Sequence, residues 1–212
     1  MAIAIIAMIM IAIILALLII VAINIKKPPS QGAPGTHETW IFEAPERRAG
    51  RRGEIIATDI IKGVLREEDY LLTNVSISCD GRPAELDNVV VNKYGVFIIE
   101  VKNYKGRLYG EEDDYTWEKH KDDGYGNTFE KEVKNPIKQV KRQVYILAKY
   151  LEFYNVWVEG YVLLIQGNSP VQSKYVFESS EDIDRAIHTF GKNRLSVHTV
   201  ESIRNMLSGR IS

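Results

Sequence analysis

The chain has 212 residues, 45% of them hydrophobic, and a formal net charge of −1, which suits one globular domain of ordinary size with an additional segment. A net charge this small gives no reason to expect nucleic acid as a partner, so that expectation has to rest on local clusters of Lys and Arg. The single cysteine, Cys79, excludes an intrachain disulfide and the zinc sites that need two or four cysteines.

The first 25 residues carry no charged side chain and consist almost entirely of Ala, Ile, Leu, Met and Val. A helix of about 20 such residues spans the hydrocarbon core of a bilayer, so residues 1–25 are predicted to form a transmembrane helix. A cleaved signal peptide is the alternative, but no basic residue precedes the apolar run, and the run is longer than that of a signal peptide. Lys26 and Lys27 follow it, and the positive-inside tendency then predicts that the folded domain is cytoplasmic.

Residues 26–46 are rich in Pro, Gly and polar side chains, which predicts a partly extended linker. Within it, the apolar residues 40–42 either dock on the folded domain or lie at the membrane surface, and we expect docking. The folded domain is predicted to occupy residues 47–212.

The first half of this domain is predicted to contain one helix and three strands. Helical spacing of Ile and Val side chains predicts a helix over about residues 50–67. A strand over 70–78 follows, and Asp80-Gly81 predicts a turn. Two further strands, over 85–92 and 96–103, are separated by a segment short enough for a hairpin loop. Their near-continuous β-branched residues predict a sheet that is covered on both faces.

The second half is predicted to combine short strands with longer helices. One or two short strands are expected around residues 107–109 and 116–119, followed by a loop over 120–128. Asn135-Pro136 predicts the start of the strongest helix, because Pro is favoured in the first helical turn. The apolar face of that helix is predicted to consist of Ile137, Val140, Val144, Leu147, Ala148 and Leu151. The remaining predictions are a buried strand over 157–166, a short strand near Phe177, a helix over 181–190, a last strand over 195–197 and a helix over about 199–208.

The predicted hairpin over residues 85–103 holds the candidate site. Residues i and i+2 of a strand share a face, so Glu100 and Lys102 point to the same side while Val101 points into the packed layer. Antiparallel pairing about the tight turn brings Asp87 close to the strand end that carries Glu100 and Lys102. Two carboxylates and one ammonium are therefore predicted at one edge of a buried sheet.

Such a pair of carboxylates is a candidate metal site. Neighbouring carboxylates repel each other and lose hydration beside Ile and Val side chains. A divalent cation offsets this cost because it prefers oxygen ligands, and Asp87 and Glu100 are its candidate ligands. The ion would lower the pKa of bound water and neutralise charge on a phosphoryl group. Lys102 would orient or deprotonate the water, or stabilise the developing charge. The alternative is that Glu-x-Lys is only a solvated charge pair on an exposed strand.

Two helices supply further candidate residues. Glu54 follows Arg51-Arg52-Gly53 near the start of the first helix, where it either interacts with the helix dipole or reaches the metal or its water. Gln139 lies in the first turn of the helix that Pro136 opens. The basic residues around both form either a phosphate-contacting surface or an ordinary solvated face. The candidate nucleic-acid contacts are Arg51, Arg52, Lys134, Lys138, Lys141 and Arg142.

The sequence motifs around the candidate site, and their order along the chain, resemble those of the NERD (nuclease-related) domain. This family is placed in the PD-(D/E)xK nuclease superfamily. The resemblance covers about residues 48–165 and rests on Gly53-Glu54, Glu85–Val91, Gly95–Asn103, Gly106, Trp117 and Asn135–Gln139. It implies an α/β fold with a central mixed β-sheet flanked by helices, as in restriction endonucleases. It also implies that Asp87 and Glu100 are metal ligands and that Lys102 is the catalytic lysine. Glu54 and Gln139 would be the acidic and polar residues that the two helices contribute.

Together with the predicted anchor, the resemblance implies a membrane-tethered, Mg²⁺- or Mn²⁺-dependent phosphodiesterase that acts on nucleic acid. The alternative is a catalytically inactive module, tethered at the membrane, that binds nucleic acid or a partner through the basic helix around residues 131–149. A membrane-surface protein without a role in nucleic-acid chemistry is a third interpretation. Salt-sensitive binding without turnover would favour the second interpretation, and a lack of binding at low salt would favour the third.

Overall fold

Residues 45–122, 124, 127–189 and 194–209 are described in the computed structural model of the protein. The predicted transmembrane helix, the predicted linker up to residue 44 and its apolar residues 40–42 lie outside these ranges. Among the helices that the described ranges contain, none is long and apolar enough to cross a membrane.

The described ranges contain four α-helices and eight strands. The helices are α1 (Pro45–Val64), α2 (Pro136–Tyr150), α3 (Ser180–His188) and α4 (Val197–Leu207), and a 3-10 turn covers Glu152–Tyr154. The strands are β1 (Tyr70–Cys79), β2 (Arg82–Asn92), β3 (Gly95–Lys102), β4 (Arg107–Tyr109), β5 (Thr116–Asp122), β6 (Thr128–Lys134), β7 (Val158–Leu164) and β8 (Val176–Phe177).

Five strands form a mixed sheet in the order β1-β2-β3-β7-β8. β1, β2 and β3 are antiparallel neighbours, whereas β3, β7 and β8 run parallel. The turn between β2 and β3 is tight, because Asn92 pairs with Gly95. β4, β5 and β6 form a separate antiparallel sheet. β3 is thus the strand at which the antiparallel half of the large sheet meets the parallel half.

Helices cover both faces of the large sheet. Alternate residues of β2 and β3 enter two different cores, so that Val89 and Ile98 pack on one side while Val90 and Ile99 pack on the other. Helices α2 and α4 contribute buried residues to the first core, and α1 and α3 contribute to the second. The protein therefore has a mixed α/β fold in which helices flank a central mixed sheet, as predicted.

Several element boundaries differ from the predictions. α1 runs from Pro45 to Val64 instead of from about residue 50 to 67. The predicted bounds of the loop, residues 120 and 128, are both wrong. β5 continues to Asp122, and β6 begins at Thr128. No strand was expected where β6 lies. Its side chains are almost all exposed, so it lacks the alternation of apolar and polar residues that marks a half-buried strand.

Two further predictions, a strand over residues 195–197 and a buried Ala148, are wrong. Residues 195–197 form no strand, because Ser196 is the N-cap of α4 and its hydroxyl accepts a hydrogen bond from the Thr199 amide at 3.1 Å. The backbone of an N-cap residue is extended, as in a strand. Ser196 therefore has a strand-like conformation although it begins a helix. Ala148 of α2 is exposed, whereas Gln143 and Ile146 are buried. The buried face of α2 therefore includes a polar residue that apolar periodicity cannot identify.

Candidate active site

The hairpin of β2 and β3 brings Asp87 to the end of β3. The ladder between the two strands pairs Asn88 with Ile99, so Asp87 and Glu100 are the next positions along each strand. The Asp87 Oδ2 accepts a hydrogen bond from the Val101 amide at 2.8 Å. The two carboxylates are thus held on neighbouring strands at the edge that the sequence indicates.

Asp87 lies at an irregularity of β2. Leu86 and Val89 are three residues apart, which in a regular strand would place them on opposite faces, yet both belong to the same core. The ladder of β1 with β2 skips Asn74 and Asp87, which lie between the pairs Thr73–Asn88 and Val75–Leu86, and the φ of Asn74 is 53°, outside the strand region. The regular alternation of side chains in β2 is therefore interrupted at the candidate ligand.

Glu100 is almost completely buried and accepts hydrogen bonds on both carboxylate oxygens. Its side chain is only 2% exposed. Its Oε1 accepts from the Lys102 Nζ at 2.5 Å and from the Gln139 Nε2 at 2.5 Å. Its Oε2 accepts from the Gln143 Nε2 at 2.8 Å. The donors of one ammonium and two amides therefore replace the water that burial removes.

Helix α2 carries both glutamines to Glu100. The Asn135 side chain caps the helix by accepting a hydrogen bond from the Ile137 amide at 2.9 Å. Further along, α2 crosses β7 at Gly160, where a Cβ atom would lie only 2.5 Å from Val144 Cγ2 and 2.7 Å from Val140 Cγ2. The missing side chain permits a close crossing, and this crossing lets amide groups one helical turn apart reach a carboxylate on β3.

Helix α1 approaches the same end of β3 from the opposite face of the sheet. A Cβ atom on Gly53 would lie 2.8 Å from Asn103 Cβ, and the Asn103 Nδ2 donates a hydrogen bond to the Ala49 carbonyl at 2.9 Å. Glu54 follows Gly53 and is exposed. Its negative charge is among those that act on Asp87, so α1 contributes an acidic side chain to the surroundings of the hairpin.

The charges at the site shift two pKa values upward. Burial and the neighbouring Glu100 carboxylate raise the pKa of Asp87 from 3.8 to about 6, and Glu54 adds to this effect. The Val101 amide and the Lys102 ammonium act in the opposite direction. Burial lowers the pKa of Lys102, but the charge and hydrogen bond of Glu100 outweigh it, so this pKa is raised. Lys102 is therefore an ammonium at neutral pH.

Asp87 and Glu100 are the residues at this edge of the sheet that could bind a divalent cation. Asp87 and Glu100 offer carboxylate oxygens, and the raised pKa of Asp87, due to burial and to Glu100, reflects repulsion that a cation would relieve. Among the residues that the structure describes, no group of three or more His, Cys, Asp or Glu side chains could hold a metal. Mg²⁺ is commonly bound by one or two carboxylates together with water and phosphate oxygens, so Asp87 and Glu100 are the residues that would hold it.

The candidate phosphate-contacting cations are not gathered around Glu100. On α2, the Lys138 Nζ lies 3.1 Å from Asp113 and the Lys141 Nζ lies 3.2 Å from Glu112. These carboxylates belong to the turn between β4 and β5, which faces the basic side of α2. Of the other four candidates, Arg142 donates to the Pro83 carbonyl at 3.4 Å, and Lys134, Arg51 and Arg52 are exposed on β6 and α1.

Two residues near the site were not singled out from the sequence. Gln143 contacts Glu100, and its position four residues after Gln139 places both on one side of a helix, which is a signal that could have identified it. Tyr104 follows β3, and burial raises the pKa of its hydroxyl while Lys102 lowers it and Glu100 raises it. Tyr104 is therefore an electrostatic neighbour of the Glu100–Lys102 pair.

Comparison with known proteins assigns the family. An uncharacterized protein of Bacillus anthracis is 32% identical over 69 residues, which is 32% of this chain and 32% of that protein. The chain thus spans about a third of the length of the curated relative it matches. No solved structure matches. The family model of the nuclease-related domain, NERD, matches residues 49–165. This range is more than half of the chain and contains Glu54, Asp87, Glu100, Lys102 and Gln139, and the chain therefore belongs to the NERD family of nuclease-related domains.

Proposed function

We propose that this NERD chain is a divalent-metal-dependent nuclease of the PD-(D/E)xK type that hydrolyses phosphodiester bonds in nucleic acid. The observation that carries the proposal is the buried Glu100 carboxylate, which Lys102, Gln139 and Gln143 hold beside Asp87. A fold maintains two carboxylates and an ammonium at the edge of an apolar sheet at a cost in hydration and repulsion. A functional role for the group accounts for that cost.

Asp87 and Glu100 would hold Mg²⁺ or Mn²⁺, which when bound supplies a more acidic water and neutralises charge on a phosphoryl group. Lys102 stays protonated at neutral pH despite its burial, because Glu100 raises its pKa above the ordinary value. It therefore acts as a hydrogen-bond donor that orients water or stabilises negative charge on the phosphate, rather than as a base. Gln139 holds the Glu100 Oε1 in place. Glu54 adds negative charge near Asp87 and so strengthens the attraction of a cation.

Nucleic acid is the proposed substrate, and the basic residues would contact its phosphates. Arg51 and Arg52 are the best placed of these, since they are exposed on the same helix as Glu54. Lys138 and Lys141 pair with Asp113 and Glu112, so they would have to exchange a carboxylate for a phosphate. Arg142 and Lys134 would add contacts at the outer side of α2 and at the end of β6.

We also propose that the chain is tethered to a membrane through residues 1–25, with its folded domain in the cytoplasm. The support is the uncharged apolar composition of those residues and the position of Lys26 and Lys27 directly after them. A tether restricts the enzyme to nucleic acid that reaches the membrane surface.

A nuclease assay of the 212-residue chain in detergent tests the proposed activity. We expect cleavage of DNA or RNA with Mg²⁺ or Mn²⁺ and none with a chelator. Asp87→Asn and Lys102→Met should each lower the rate by about 100-fold or more, because each removes a group that interacts with the reacting phosphate or its ion. Asp59→Asn is the matched control, since Asp59 is exposed on α1.

The outcomes separate the proposal from its alternatives. Metal-dependent cleavage that survives both Asp87→Asn and Lys102→Met would show that this site is not responsible. Salt-sensitive binding without turnover would favour a catalytically inactive module that binds nucleic acid at the membrane. Indifference of that binding to Asp87→Asn would place its contacts elsewhere, for example on the basic side of α2.

A further inference from the structure

Gln143 connects the two strands that carry the candidate ligands. Its side chain is buried at 3% exposure. Its Nε2 donates to the Glu85 carbonyl of β2 at 2.9 Å and to the Glu100 Oε2 of β3 at 2.8 Å. Glu85 precedes Asp87 by two residues. One amide group on α2 thus holds the strand of Asp87 and the carboxylate of Glu100 at the same time.

The chemistry of its partners fixes the orientation of this amide. A backbone carbonyl and a carboxylate are acceptors only, so the group that faces both must be the NH₂ group of Gln143. The amide oxygen then points elsewhere. It is buried, and none of the residues that the structure describes donates a hydrogen bond to it. A buried acceptor without a donor lowers the free energy of unfolding. A donor other than the described residues, such as a water molecule, would remove this cost.

The unpaired oxygen lies close to the Glu100 carboxylate. Within an amide the oxygen and nitrogen are about 2.3 Å apart. With the Gln143 Nε2 at 2.8 Å from the Glu100 Oε2, the Gln143 Oε1 lies within about 5 Å of that carboxylate oxygen. One water molecule that donates to both oxygens spans such a separation. Gln139 contacts a different oxygen of Glu100 than Gln143 does. Its Nε2 donates to the Glu100 Oε1, to which the Lys102 Nζ also donates.

We infer that Gln143 is a positioning residue of the proposed metal site: its NH₂ group sets the position of Glu100 relative to Asp87, and its carbonyl oxygen accepts a hydrogen bond from a water molecule held at the site. This inference rests on the proposed function, because the water would be one that hydrates a cation held by Asp87 and Glu100. Replacing a residue that hydrogen-bonds a metal ligand typically weakens metal binding about 10- to 100-fold.

Titration of the 212-residue chain with Mn²⁺ in detergent tests this role. We use Gln143→Met, which keeps a side chain of similar length and removes both the donor and the acceptor. The dissociation constant for Mn²⁺ should rise about 10- to 100-fold. Gln172→Met is the matched control, since Gln172 is exposed in the loop before β8, and it should leave Mn²⁺ affinity unchanged. With nucleic acid, Gln143→Met should lower kcat at saturating Mn²⁺ and leave KM for the nucleic acid within twofold.

A measurement on the wild-type chain keeps the inference testable if Gln143→Met does not fold. The side-chain NH₂ resonances of Gln143 should shift on addition of Mg²⁺, whereas those of Gln172 should not. Unchanged Gln143 resonances on saturation with Mg²⁺ would overturn the inference, and so would unchanged Mn²⁺ affinity in a folded Gln143→Met variant.

The two readouts distinguish the inference from the proposed activity. If the wild-type chain cleaves nucleic acid and Gln143→Met binds Mn²⁺ normally, the inference fails and the function stands. If Gln143→Met weakens Mn²⁺ binding but the wild-type chain cleaves nothing, the function fails and the role of Gln143 stands. A wild-type chain that binds no divalent cation contradicts both.

Discussion

Asp87 and Glu100 are neighbouring carboxylates with different surroundings. Glu100 accepts hydrogen bonds from an ammonium and two amides, whereas the bond described for Asp87 is to one backbone amide. Donors stabilise the charged form of a carboxylate, and a neighbouring charge disfavours a second one. Burial and the Glu100 carboxylate therefore make Asp87 easier to protonate than an ordinary aspartate and raise its pKa to about 6.

This difference makes stability depend on pH through Asp87. The pKa of Asp87 is about 6 in the folded protein and 3.8 without the fold, so between these values the folded state binds a proton that the unfolded state lacks. The free energy of unfolding therefore falls as pH rises from about 4 to 6, and it stays at the lower value above pH 6. In a metal-free sample, Asp87→Asn should raise the free energy of unfolding by about 3 kcal/mol at pH 7.5 and by little near pH 4.

Urea unfolding of wild type and Asp87→Asn at both pH values, with a chelator present, measures this difference. Asp59→Asn serves as the control, because Asp59 is exposed and should show a small effect at either pH. An Asp87→Asn effect of the same size at pH 4 and pH 7.5 would contradict the assignment of the proton to Asp87.

The residues of the site differ in how far the sequence predicts them. Glu100 and Lys102 share a face because they are two apart, and a short turn brings Asp87 to them, so local geometry is sufficient. Gln143 is different, because its function depends on α2 packing against β3. In the sequence it is a polar residue at a position of the buried face, and its partner lies 43 residues away.

At the scale of elements, the packing of α2 on the sheet determines whether its glutamines reach Glu100. The close approach occurs at Gly160 of β7, where a Cβ atom would lie 2.5 Å from Val144 and 2.7 Å from Val140. Gly160→Ala should force α2 away from the sheet and weaken the hydrogen bonds of Gln139 and Gln143. We expect the free energy of unfolding to fall by about 1–3 kcal/mol. We also expect Mn²⁺ to bind more weakly.

Gly63→Ala provides the matched control. Gly63 lies within α1, and a Cβ atom there would meet nothing within 4 Å. Alanine in a helix is favoured over glycine by about 0.5–1 kcal/mol, so this variant should be slightly more stable than wild type. If Gly160→Ala is as stable as Gly63→Ala and binds Mn²⁺ normally, then the close crossing of α2 and β7 does not position the site.

Elements whose pattern is local were predicted well, and those that depend on tertiary contacts were not. The hairpin of β2 and β3 follows from two apolar runs and a short turn. β6 is exposed on nearly every side chain, and it forms a strand because β5 pairs with it. Likewise, the acidic turn that contacts Lys138 and Lys141 could not be placed there without the fold.

At the scale of the whole molecule, the site lies where two kinds of strand pairing meet. β3 is antiparallel to β2 and parallel to β7, and α2 is the connection that leads from the small sheet back to β7. The carboxylates come from the antiparallel half, and the glutamines come from the helix of the crossover. Changes in the helix therefore affect the carboxylates without altering the strands that carry them.

The proposed tether is a property of the whole chain that the folded part does not reveal. Residues 1–25 contain no charged side chain, and a Lys near the centre of a transmembrane helix costs about 2.5–3.5 kcal/mol. Replacing both Leu15 and Leu18 with Lys should therefore move the chain from the membrane pellet to the soluble fraction after an alkaline carbonate wash. Replacing both with Ala keeps the segment apolar and should leave the chain in the pellet.

The orientation of the tether has a separate test. Lys26 and Lys27 follow the apolar segment, and the positive-inside tendency keeps such residues on the cytoplasmic side. Protease added outside intact cells should therefore leave the folded domain uncut, and permeabilised cells should lose it. Digestion in intact cells would contradict the cytoplasmic location. Recovery of the wild-type chain in the soluble fraction would contradict the tether itself, and the proposed nuclease would then act away from the membrane.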